Sequence, residues 1–399
     1  MNQFDSDVPH VPNPTLAHKQ FLLLQVDDTR RQALVGEILT AIKEEKLAPY
    51  YKYLATELPQ YFKLDEALYK EISDENTAKI AEMERIIKDA EADEETEVDI
   101  VAETTKLAEY FATIIDRERA AETYAKVLSL SPSTGLKIDV LLTLARLDFF
   151  FGDYQGVKAH LAEVETWIEK GGDWERRNRY KTYQGIYYLA TRRFSDAAAL
   201  LIDSLATFTS TELCSYEEVA QYAIVAGILT LSRVDLKLKI VDSPEISSIY
   251  SSATQLEPLV NLTNSLYTCQ YGLFFEHLLA TNDSLLTKNK YLAPHAGYFL
   301  RELRCKAYAQ LLESYKSLSV HLMARSFGVS ELFLDADLCR FIPNGKLNCT
   351  IDKVNGIIET NRPDNKNSQF HMLIKQGDGL LTKLQKYGAA VKLSGAERV

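Results

Sequence analysis

The sequence predicts a mainly α-helical protein, in which a right-handed solenoid of helix pairs is followed by a winged helix and a C-terminal helix. Three observations support this fold class. Glycine and proline are scarce, with 17 and 11 among 399 residues, so few turns and long helices are expected. An approximate repeat with offsets of 37 and 40 residues begins near residue 104. After residue 318, two short helical patterns precede alternating apolar and polar residues.

The N-terminal region, residues 1–103, is predicted to be helical and strongly acidic. The chain carries 45 Lys and Arg against 56 Asp and Glu, a net charge of −11. Between residues 65 and 103 there are fifteen acidic and four basic residues, and six of the nine residues in the stretch 91–99 are acidic. Side chains of like charge repel one another and stay solvated. We therefore interpret the stretch as a solvent-exposed connector at the end of a long amphipathic helix. Docking of a basic partner onto it is the alternative.

Several classes of protein are disfavoured by composition. No apolar run approaches the roughly 18 residues that a membrane-spanning helix needs, and the first residues do not resemble a secretory signal. The five cysteines are scattered and show no CxxC spacing. The sequence therefore predicts no membrane contact, no structural disulfides and no zinc site, and it favours a reducing, intracellular compartment.

Residues 104–318 are predicted to form helix pairs similar to tetratricopeptide repeats. Three windows, beginning near Leu107, Leu144 and Gly185, can be superimposed. Small residues at the matching positions Ala108, Ala145 and Gly185 would let two helices approach closely. Because neither helix of a pair can bury its apolar face alone, each pair must stack on the next. Helical periodicity also runs over 216–231 and 298–318.

Residues 319–362 are predicted to form a winged helix. Two helices meet at a turn at Gly328, and Ser330 is the expected N-cap of the second helix, which ends near Ile342. Apolar alternation from residue 347, a turn at 355–356 and a return over 357–360 indicate a β-hairpin. A two-stranded hairpin leaves unpaired backbone groups at its edge, which a neighbouring chain could satisfy. The predicted interface residues on the hairpin are Leu347, Cys349, Ile351, Ile357 and Thr360.

Residues 363–399 are predicted to form a helix with a heptad stripe of apolar residues. The stripe consists of Phe370, Leu373, Gly377, Leu380, Leu384, Tyr387 and Val391, spaced alternately three and four residues apart. Such a stripe must face another helix. It could fold back on its own chain, but its position beyond a completed small domain favours partner helices. All of its residues except Gly377 are therefore predicted to be interface residues.

No catalytic, cofactor-binding or metal-binding residue is predicted. The sequence lacks HExxH, GxxxxGK[ST] and GxSxG motifs, and no cofactor is expected. His277 and His321 lie in helical segments and are expected to pack or to face solvent. We therefore do not expect an enzyme.

Nucleic-acid binding is the rival function, since winged helices often bind DNA. The second helix carries Glu331, Asp335 and Asp337 against a single Arg340, and acidic side chains would repel phosphates. This charge pattern disfavours a nucleic-acid partner and favours a protein. A separate basic cluster, WERRNRYKTY, could bind RNA or an acidic protein. Pairing of its Arg176, Arg177, Arg179 and Lys181 with nearby acids such as Asp173 and Glu175 is the favoured interpretation.

Helical repeats that lead into a winged helix resemble the PCI module, which is shared by the proteasome lid, the signalosome and translation initiation factor three. Several stretches are similar to the seventh non-ATPase subunit family of the 26S proteasome lid. These are KEEKLAPYYKYL from Lys43, EKGGDWERRNRYKTYQGIYYLA from Glu169, FIPNGKLNCTIDKVNGIIETNRPDNKN from Phe341 and QGDGLLTKLQKYGAAV from Gln376. The first subunit of the signalosome is also similar around WERRNR and IDKVNGIIETNRPD, whereas KLAPYYKYL and LLTKLQKYGAAV favour the proteasome family.

The resemblance implies a non-catalytic scaffold in ubiquitin-dependent protein degradation. Family members join their winged helices edge to edge and gather their C-terminal helices into one bundle. The implied partners are the other PCI subunits of the lid and the deubiquitinating metalloprotease of the lid, with contacts to the ATPase base. A hetero-oligomer in cytoplasm and nucleus would follow. The alternatives are a signalosome subunit and a winged-helix regulator that binds nucleic acid.

Overall fold

A computed structural model describes residues 10–92, 100–250, 256–361 and 365–396. The chain divides into two compact units, residues 1–303 and residues 304–399. Nearly all regular structure in the described residues is helical, as the sequence predicts, and a small sheet lies in the second unit. The acidic stretch from residue 93 to residue 99 lies outside the described residues. The four-segment division expected from the sequence remains a prediction.

The first unit begins with four helices. They are α1 (Pro14–Leu23), α2 (Asp28–Glu44), α3 (Ala48–Glu57) and α4 (Glu66–Ala92). Apolar residues of α1 to α3 form one core with Phe150 from further along the chain, whose ring meets the Tyr50 ring edge-on at 5.4 Å. The long amphipathic helix expected before the acidic stretch is α4, which contributes Ile80, Met83 and Ile87 to a second core.

Three helix pairs follow, and they confirm the predicted repeats. They are α5 (Ile100–Thr113) with α6 (Arg117–Leu130), α7 (Thr134–Phe151) with α8 (Tyr154–Glu169), and α9 (Trp174–Ala190) with α10 (Phe194–Leu205). The turn inside each pair contains a residue with positive φ, namely Ile115, Gly152 and Arg192. These three residues are themselves 37 and 40 positions apart, so the turn geometry repeats with the period of the sequence.

The small residues at the matching positions of the repeats permit close helix packing. Ala108 and Ala145 are fully buried. At Gly185, an added Cβ would lie 2.7 Å from Cδ2 of Leu201 on α10, which is closer than carbon atoms can approach. The glycine therefore gives the Leu201 side chain of α10 room to pack directly against the backbone of α9.

The remainder of the first unit is also helical. It contains α11 (Tyr216–Thr230), α12 (Arg233–Leu236), α13 (Pro244–Tyr250), α14 (Glu257–Tyr267) and α15 (Tyr271–Thr281), with π-helical turns at Lys237–Val241 and Asn282–Leu286 and a 3₁₀ turn at Ala293–His295. The helix α16 (Ala296–Ser314) then crosses the boundary between the two units. Among the described residues, no helix is both long enough and apolar enough to span a membrane.

The second unit contains the predicted winged helix, with one strand more than expected. It comprises β1 (Ser317–Ser319), α17 (Val320–Phe327), α18 (Glu331–Phe341), β2 (Cys349–Asp352) and β3 (Ile357–Thr360). Gly328 ends α17 with a φ of +66°, and the Ser330 hydroxyl accepts a hydrogen bond from the Phe333 amide at 3.3 Å. Both features of the turn between the helices are thus confirmed.

The extra strand corrects the prediction that helical structure continues to residue 318. The helix α16 ends at Ser314, and β1 pairs antiparallel with β3, with Leu318 opposite Ile358. The alternation of exposed Ser317, buried Leu318 and exposed Ser319 has the period of a strand. The sheet order is β1-β3-β2, so β3 is central. The helix α19 (Asn365–Ala396) ends the described chain.

Candidate protein interface

The predicted heptad stripe lies on α19 and is exposed along its length. Its six large apolar side chains are between 51% and 72% exposed, although residues of these types usually lie in a core. They are Phe370, Leu373, Leu380, Leu384, Tyr387 and Val391. The described surface of the second unit therefore does not cover the stripe, and this favours partner helices over folding back.

Sequence reasoning missed two apolar residues beside the stripe. Ile374 and Leu381 are more than half exposed, and each lies four residues after a stripe position, Phe370 and Gly377 respectively. Residues four apart lie on one helical face. The apolar surface of α19 is thus wider than a strict heptad seam, as is typical of a helix that packs against a core rather than along one coiled-coil partner. The i to i+4 spacing in the sequence could have identified them.

The hairpin residues of the predicted interface differ in how deeply their side chains are buried. Leu347 and Cys349 are buried, so their side chains face the core of the winged helix. Ile351 and Ile357 are half-buried. The Thr360 hydroxyl donates to the Tyr315 carbonyl oxygen at 2.9 Å and is thus engaged within the chain.

The extra strand changes which part of the hairpin has a free backbone edge. The strand β3 is paired on both sides, with β1 and with β2, so the backbone at Ile357 and Thr360 cannot accept another strand. The outer edge of the hairpin belongs to β2, residues Cys349–Asp352. A strand at a sheet edge presents N–H and C=O groups to which a neighbouring chain can bind. Within the hairpin, the backbone edge available for such pairing is therefore limited to β2, whereas the sequence alone suggested both strands.

The acidic residues of α18 do not all face outward, contrary to the argument made from the sequence. Asp337 is buried, and its Oδ2 lies 3.0 Å from Nε of Arg304 on α16, while Nη2 of that arginine donates to Oδ1 at 3.4 Å. The Tyr308 hydroxyl donates to the same carboxylate at 3.4 Å. Burial raises the pKa of Tyr308, so the phenol stays protonated. Asp337 therefore joins α16 to α18 within the second unit.

The other two acidic residues of α18 are exposed and each has a partner. Glu331 Oε1 lies 2.6 Å from Nδ1 of His321 on α17. Asp335 Oδ2 lies 3.0 Å from Nζ of Lys353 in the hairpin turn, and this hydrogen bond raises the pKa of Lys353. The Lys353 ammonium group, which could otherwise bind a nucleic-acid phosphate, is thus paired with the Asp335 carboxylate of the same domain. The surface formed by α18 and the hairpin turn is therefore poorly suited to binding phosphates.

Three of the four basic residues at the start of α9 are paired internally, as the favoured interpretation predicted, while Arg177 forms no such pair among the described residues. The ion pairs are Arg176 with Asp139 and Asp173, Arg179 with Glu175 and Asp139, and Lys181 with Asp203. Arg176 Nη2 donates to Asp139 Oδ2 at 2.7 Å, and this hydrogen bonding to the Asp139 carboxylate is the main cause of a raised pKa for Arg176. These side chains connect α9 to α7 and α10.

The first unit contains a cleft of about 1130 Å³ that the sequence did not indicate. Lys290 lies in its wall and donates hydrogen bonds to the carbonyl oxygens of Phe149 and Phe150, at 2.9 and 2.7 Å, near the end of α7. Burial lowers the pKa of Lys290 to about 8. Because carbonyl groups at a helix end lack partners within the helix, the lysine has a structural role here.

Within the part of the chain that the structure describes, no three His, Cys, Asp or Glu side chains are grouped so that they could hold a metal ion. His277 lies on α15 and His321 on α17, both on helices as expected. The second unit exposes apolar side chains on α19 and a backbone edge at β2, and the chemistry of both surfaces suits binding to proteins.

Helical repeats, a winged helix and an exposed C-terminal helix together define a PCI-type subunit. Comparison with protein families supports this class: residues 279–362 match the model of the PCI domain. Residues 65–239 match the model described as 26S proteasome subunit RPN7, and residues 369–391 match that of the RPN7/PSMD6 C-terminal helix.

Full-length relatives agree with the family models. The chain is 52% identical to 26S proteasome regulatory subunit RPN7 of Saccharomyces cerevisiae, over 99% of this chain and 97% of the relative. It is 44% identical to rpn7 of Schizosaccharomyces pombe, over 93% and 94%, and 39% identical to the 26S proteasome non-ATPase regulatory subunit 6 homolog of Arabidopsis thaliana, over 96% and 97%. The chain belongs to the RPN7 family of 26S proteasome regulatory subunits.

Proposed function

We propose that the chain is a non-catalytic scaffold subunit of the lid of the 26S proteasome regulatory particle, acting in ubiquitin-dependent protein degradation. The observation that carries the proposal is the exposed apolar stripe of α19, in the segment that matches the family's C-terminal helix. Burying a large apolar side chain contributes roughly 1.5–3 kcal/mol. Burial of six such side chains by partner helices would therefore contribute substantially to the free energy of binding.

The outer edge of β2 is the second proposed contact. An added strand from a neighbouring winged helix would pair with the backbone groups of Cys349–Asp352. Leu347 and Cys349 would then support the edge from inside the domain, and Ile351 would lie at its surface. Ile357 and Thr360 would take part only indirectly, because β3 is already paired on both sides.

The finer parts of the proposal follow from the family. The expected partners are other PCI subunits of the lid and its deubiquitinating metalloprotease, with contacts to the ATPase base, in a hetero-oligomer of cytoplasm and nucleus. The relatives are named regulatory subunits, which accords with the absence of a recognisable catalytic motif in the sequence. A signalosome subunit would share the PCI architecture, but the relatives compared over nearly the full chain carry proteasome names.

Removal of residues 368–399 tests the proposal. The shortened chain should lose only the helical content of α19 and keep the unfolding midpoint of the rest, because the stripe is exposed. When it is expressed together with the other lid subunits, the shortened chain should not be incorporated into the lid. Native mass spectrometry of the purified complexes measures this incorporation. The matched control carries Lys383→Arg, which alters the same helix without changing its charge or its stripe.

Two results would contradict the proposal. One is incorporation of the shortened chain at the level of the full chain. The other is a native complex whose mass and composition correspond to the signalosome. Measured activity of the isolated chain on a substrate would separately contradict the non-catalytic part of the proposal.

A further inference from the structure

Two asparagines of the winged helix are each followed by a glycine. These Asn–Gly pairs are Asn344–Gly345, just after α18, and Asn355–Gly356, in the turn between β2 and β3. Asparagine is among the chemically labile residues of proteins. The backbone nitrogen of the next residue can attack its side-chain carboxamide, and a glycine hinders that attack least because it has no Cβ. Both asparagines are exposed, so water reaches both pairs.

At the first pair, the attacking nitrogen is engaged in the cap of a helix. The Gly345 amide donates a hydrogen bond to the Ile342 carbonyl oxygen at 3.0 Å. The Lys346 amide donates to the Phe341 carbonyl oxygen at 3.1 Å. Together with the φ of +68° at Gly345, these two bonds form the Schellman motif that closes the end of α18. Attack by the Gly345 nitrogen would therefore require that this cap opens.

At the second pair, the attacking nitrogen has no such bond. Gly356 adopts a φ of +64°, and its carbonyl oxygen accepts a hydrogen bond from the Val320 amide at 2.9 Å. Within the part of the chain that the structure describes, the Gly356 N–H donates to no carbonyl oxygen of the turn. Attack by this nitrogen on the Asn355 side chain therefore breaks no hydrogen bond of the Gly356 amide.

The Asn355 carboxamide is restrained by one neighbouring side chain. Its Nδ2 donates to Oδ2 of Asp352 at 2.7 Å, and Oδ1 of the same carboxylate accepts from the amides of Val354 and Asn355 at 2.9 and 3.2 Å. Because Asn355 is exposed, water competes for its side-chain hydrogen bond. The carboxamide can therefore leave Asp352 and turn toward the Gly356 nitrogen.

We propose that Asn355 is a site of spontaneous deamidation. The Gly356 nitrogen gives up its proton to solvent and forms a bond to Cγ of Asn355. The side-chain nitrogen takes up a proton from solvent and leaves as ammonia, so that a five-membered succinimide remains. Water then opens this ring at either carbonyl group. One opening gives aspartate at position 355, and the other gives isoaspartate, in which the main chain runs through the former side chain. Water is the only co-reactant.

Either product changes the turn that closes the hairpin. Aspartate at position 355 would place a second carboxylate against Asp352, and like charges repel. The bond from the Asn355 side chain is the main reason why the pKa of Asp352 is lowered, and that bond would be lost. Isoaspartate would add one methylene group to the main chain before Gly356. The Gly356 carbonyl oxygen would then be displaced from the Val320 amide at the start of α17.

Timed incubation of the full-length chain at mildly alkaline pH tests the proposal, because alkali favours loss of the glycine N–H proton. Deamidation replaces NH2 by OH, and mass spectrometry of the digested protein measures the corresponding gain in mass at positions 344 and 355. Methylation by an isoaspartyl methyltransferase identifies the isoaspartate. In the folded chain, position 355 should react about fivefold faster than position 344, or more, since a factor of that size corresponds to one net backbone hydrogen bond.

Matched variants separate the chemistry from the fold. Asn355→Gln should abolish the reaction at position 355, because the longer side chain cannot close a five-membered ring. Asn344→Gln, the matched control at the other pair, should leave the rate at position 355 unchanged. Asp352→Ala should raise that rate, because it releases the Asn355 side chain. In guanidinium chloride, where the cap of α18 is lost, the two pairs of the unsubstituted chain should react at similar rates.

Two results would overturn the inference. One is a rate at position 355 that is equal to or lower than the rate at position 344 in the folded chain. The other is an equally large difference in the unfolded chain, which would assign the selectivity to the neighbouring sequence rather than to the helix cap. The reaction requires no partner, so neither result bears on the proposed scaffold function.

Discussion

The buried ion pair between Asp337 and Arg304 should dominate the stability of the winged helix. Asp337→Ala removes the carboxylate and leaves the guanidinium without this counter-ion. The Asp337 side chain is 4% exposed and that of Arg304 is 19% exposed, so water can replace little of the lost interaction. Breaking a buried pair on one side generally costs about 3–5 kcal/mol. We expect a loss in that range, at its lower end because Arg304 keeps partial contact with water.

Replacing both partners should cost far less than replacing one. Asp337→Leu with Arg304→Met leaves no buried charge and fills a similar volume, and such exchanges are often neutral or stabilising. The double variant should therefore lie within about 1 kcal/mol of the unsubstituted chain. A large difference between the single and double variants would show that the cost comes from the unpaired charge rather than from lost packing.

Hydrogen exchange of the full-length chain is the suitable assay, because it reports the opening free energy of residues 317–360 separately from that of the first unit. The amides of β3 should exchange faster in Asp337→Ala by the factor that corresponds to the lost free energy, while those of α5 to α10 should be unchanged. A loss below about 1 kcal/mol in β3 would refute the reasoning. Equal losses in single and double variants would also refute it.

Three further outcomes are expected. Gly185→Ala should destabilise the solenoid by about 1–3 kcal/mol in urea denaturation, despite the better helix propensity of alanine, because its Cβ would meet Leu201. The pKa of Lys290 in the folded chain is about 8, below the ordinary value of 10.5. As the pH rises, the folded chain therefore loses this proton before the unfolded chain does. The free energy of unfolding should consequently increase between pH 8 and 10.5, by up to about 3 kcal/mol. Lys290→Met should lose that rise in denaturant titrations across this pH range. Leu384→Asp should leave the unfolding midpoint of the isolated chain unchanged but weaken lid assembly, as measured by native mass spectrometry.

The repeats could be predicted from sequence because their determinants are local. Each pair of helices carries its own small residue, its own apolar positions and its own turn, so the 37- and 40-residue offsets appear both in the sequence and in the positive φ angles of Ile115, Gly152 and Arg192. The turn at Gly328 and the cap at Ser330 were predictable for the same reason. Stripe positions on α19 followed from spacing alone.

What the sequence did not reveal depends on pairs of residues far apart in the chain. The strand β1 is stabilised by β3, with Leu318 opposite Ile358, and three residues after a long helix give a weak strand signal by themselves. Asp337 looked like a surface acid because its partner Arg304 lies on another helix. The cleft beside Lys290 likewise arises from contacts across about 140 residues. Tertiary pairing decided each of these features, and local pattern does not contain it.

The composition of α19 gives an independent reason for a partner. This helix has 32 residues, and its interior includes Gly377, Gly379 and Gly388. Each glycine makes a helix less stable by roughly 1 kcal/mol than alanine would. Helices in proteins are stabilised chiefly by packing of an apolar face, and here that face is exposed. The same segment therefore has low stability as an isolated helix and exposes a large apolar surface. Partner helices that cover the stripe would stabilise the helix and remove its apolar surface from water. Assembly should consequently order the helix as well as bury it.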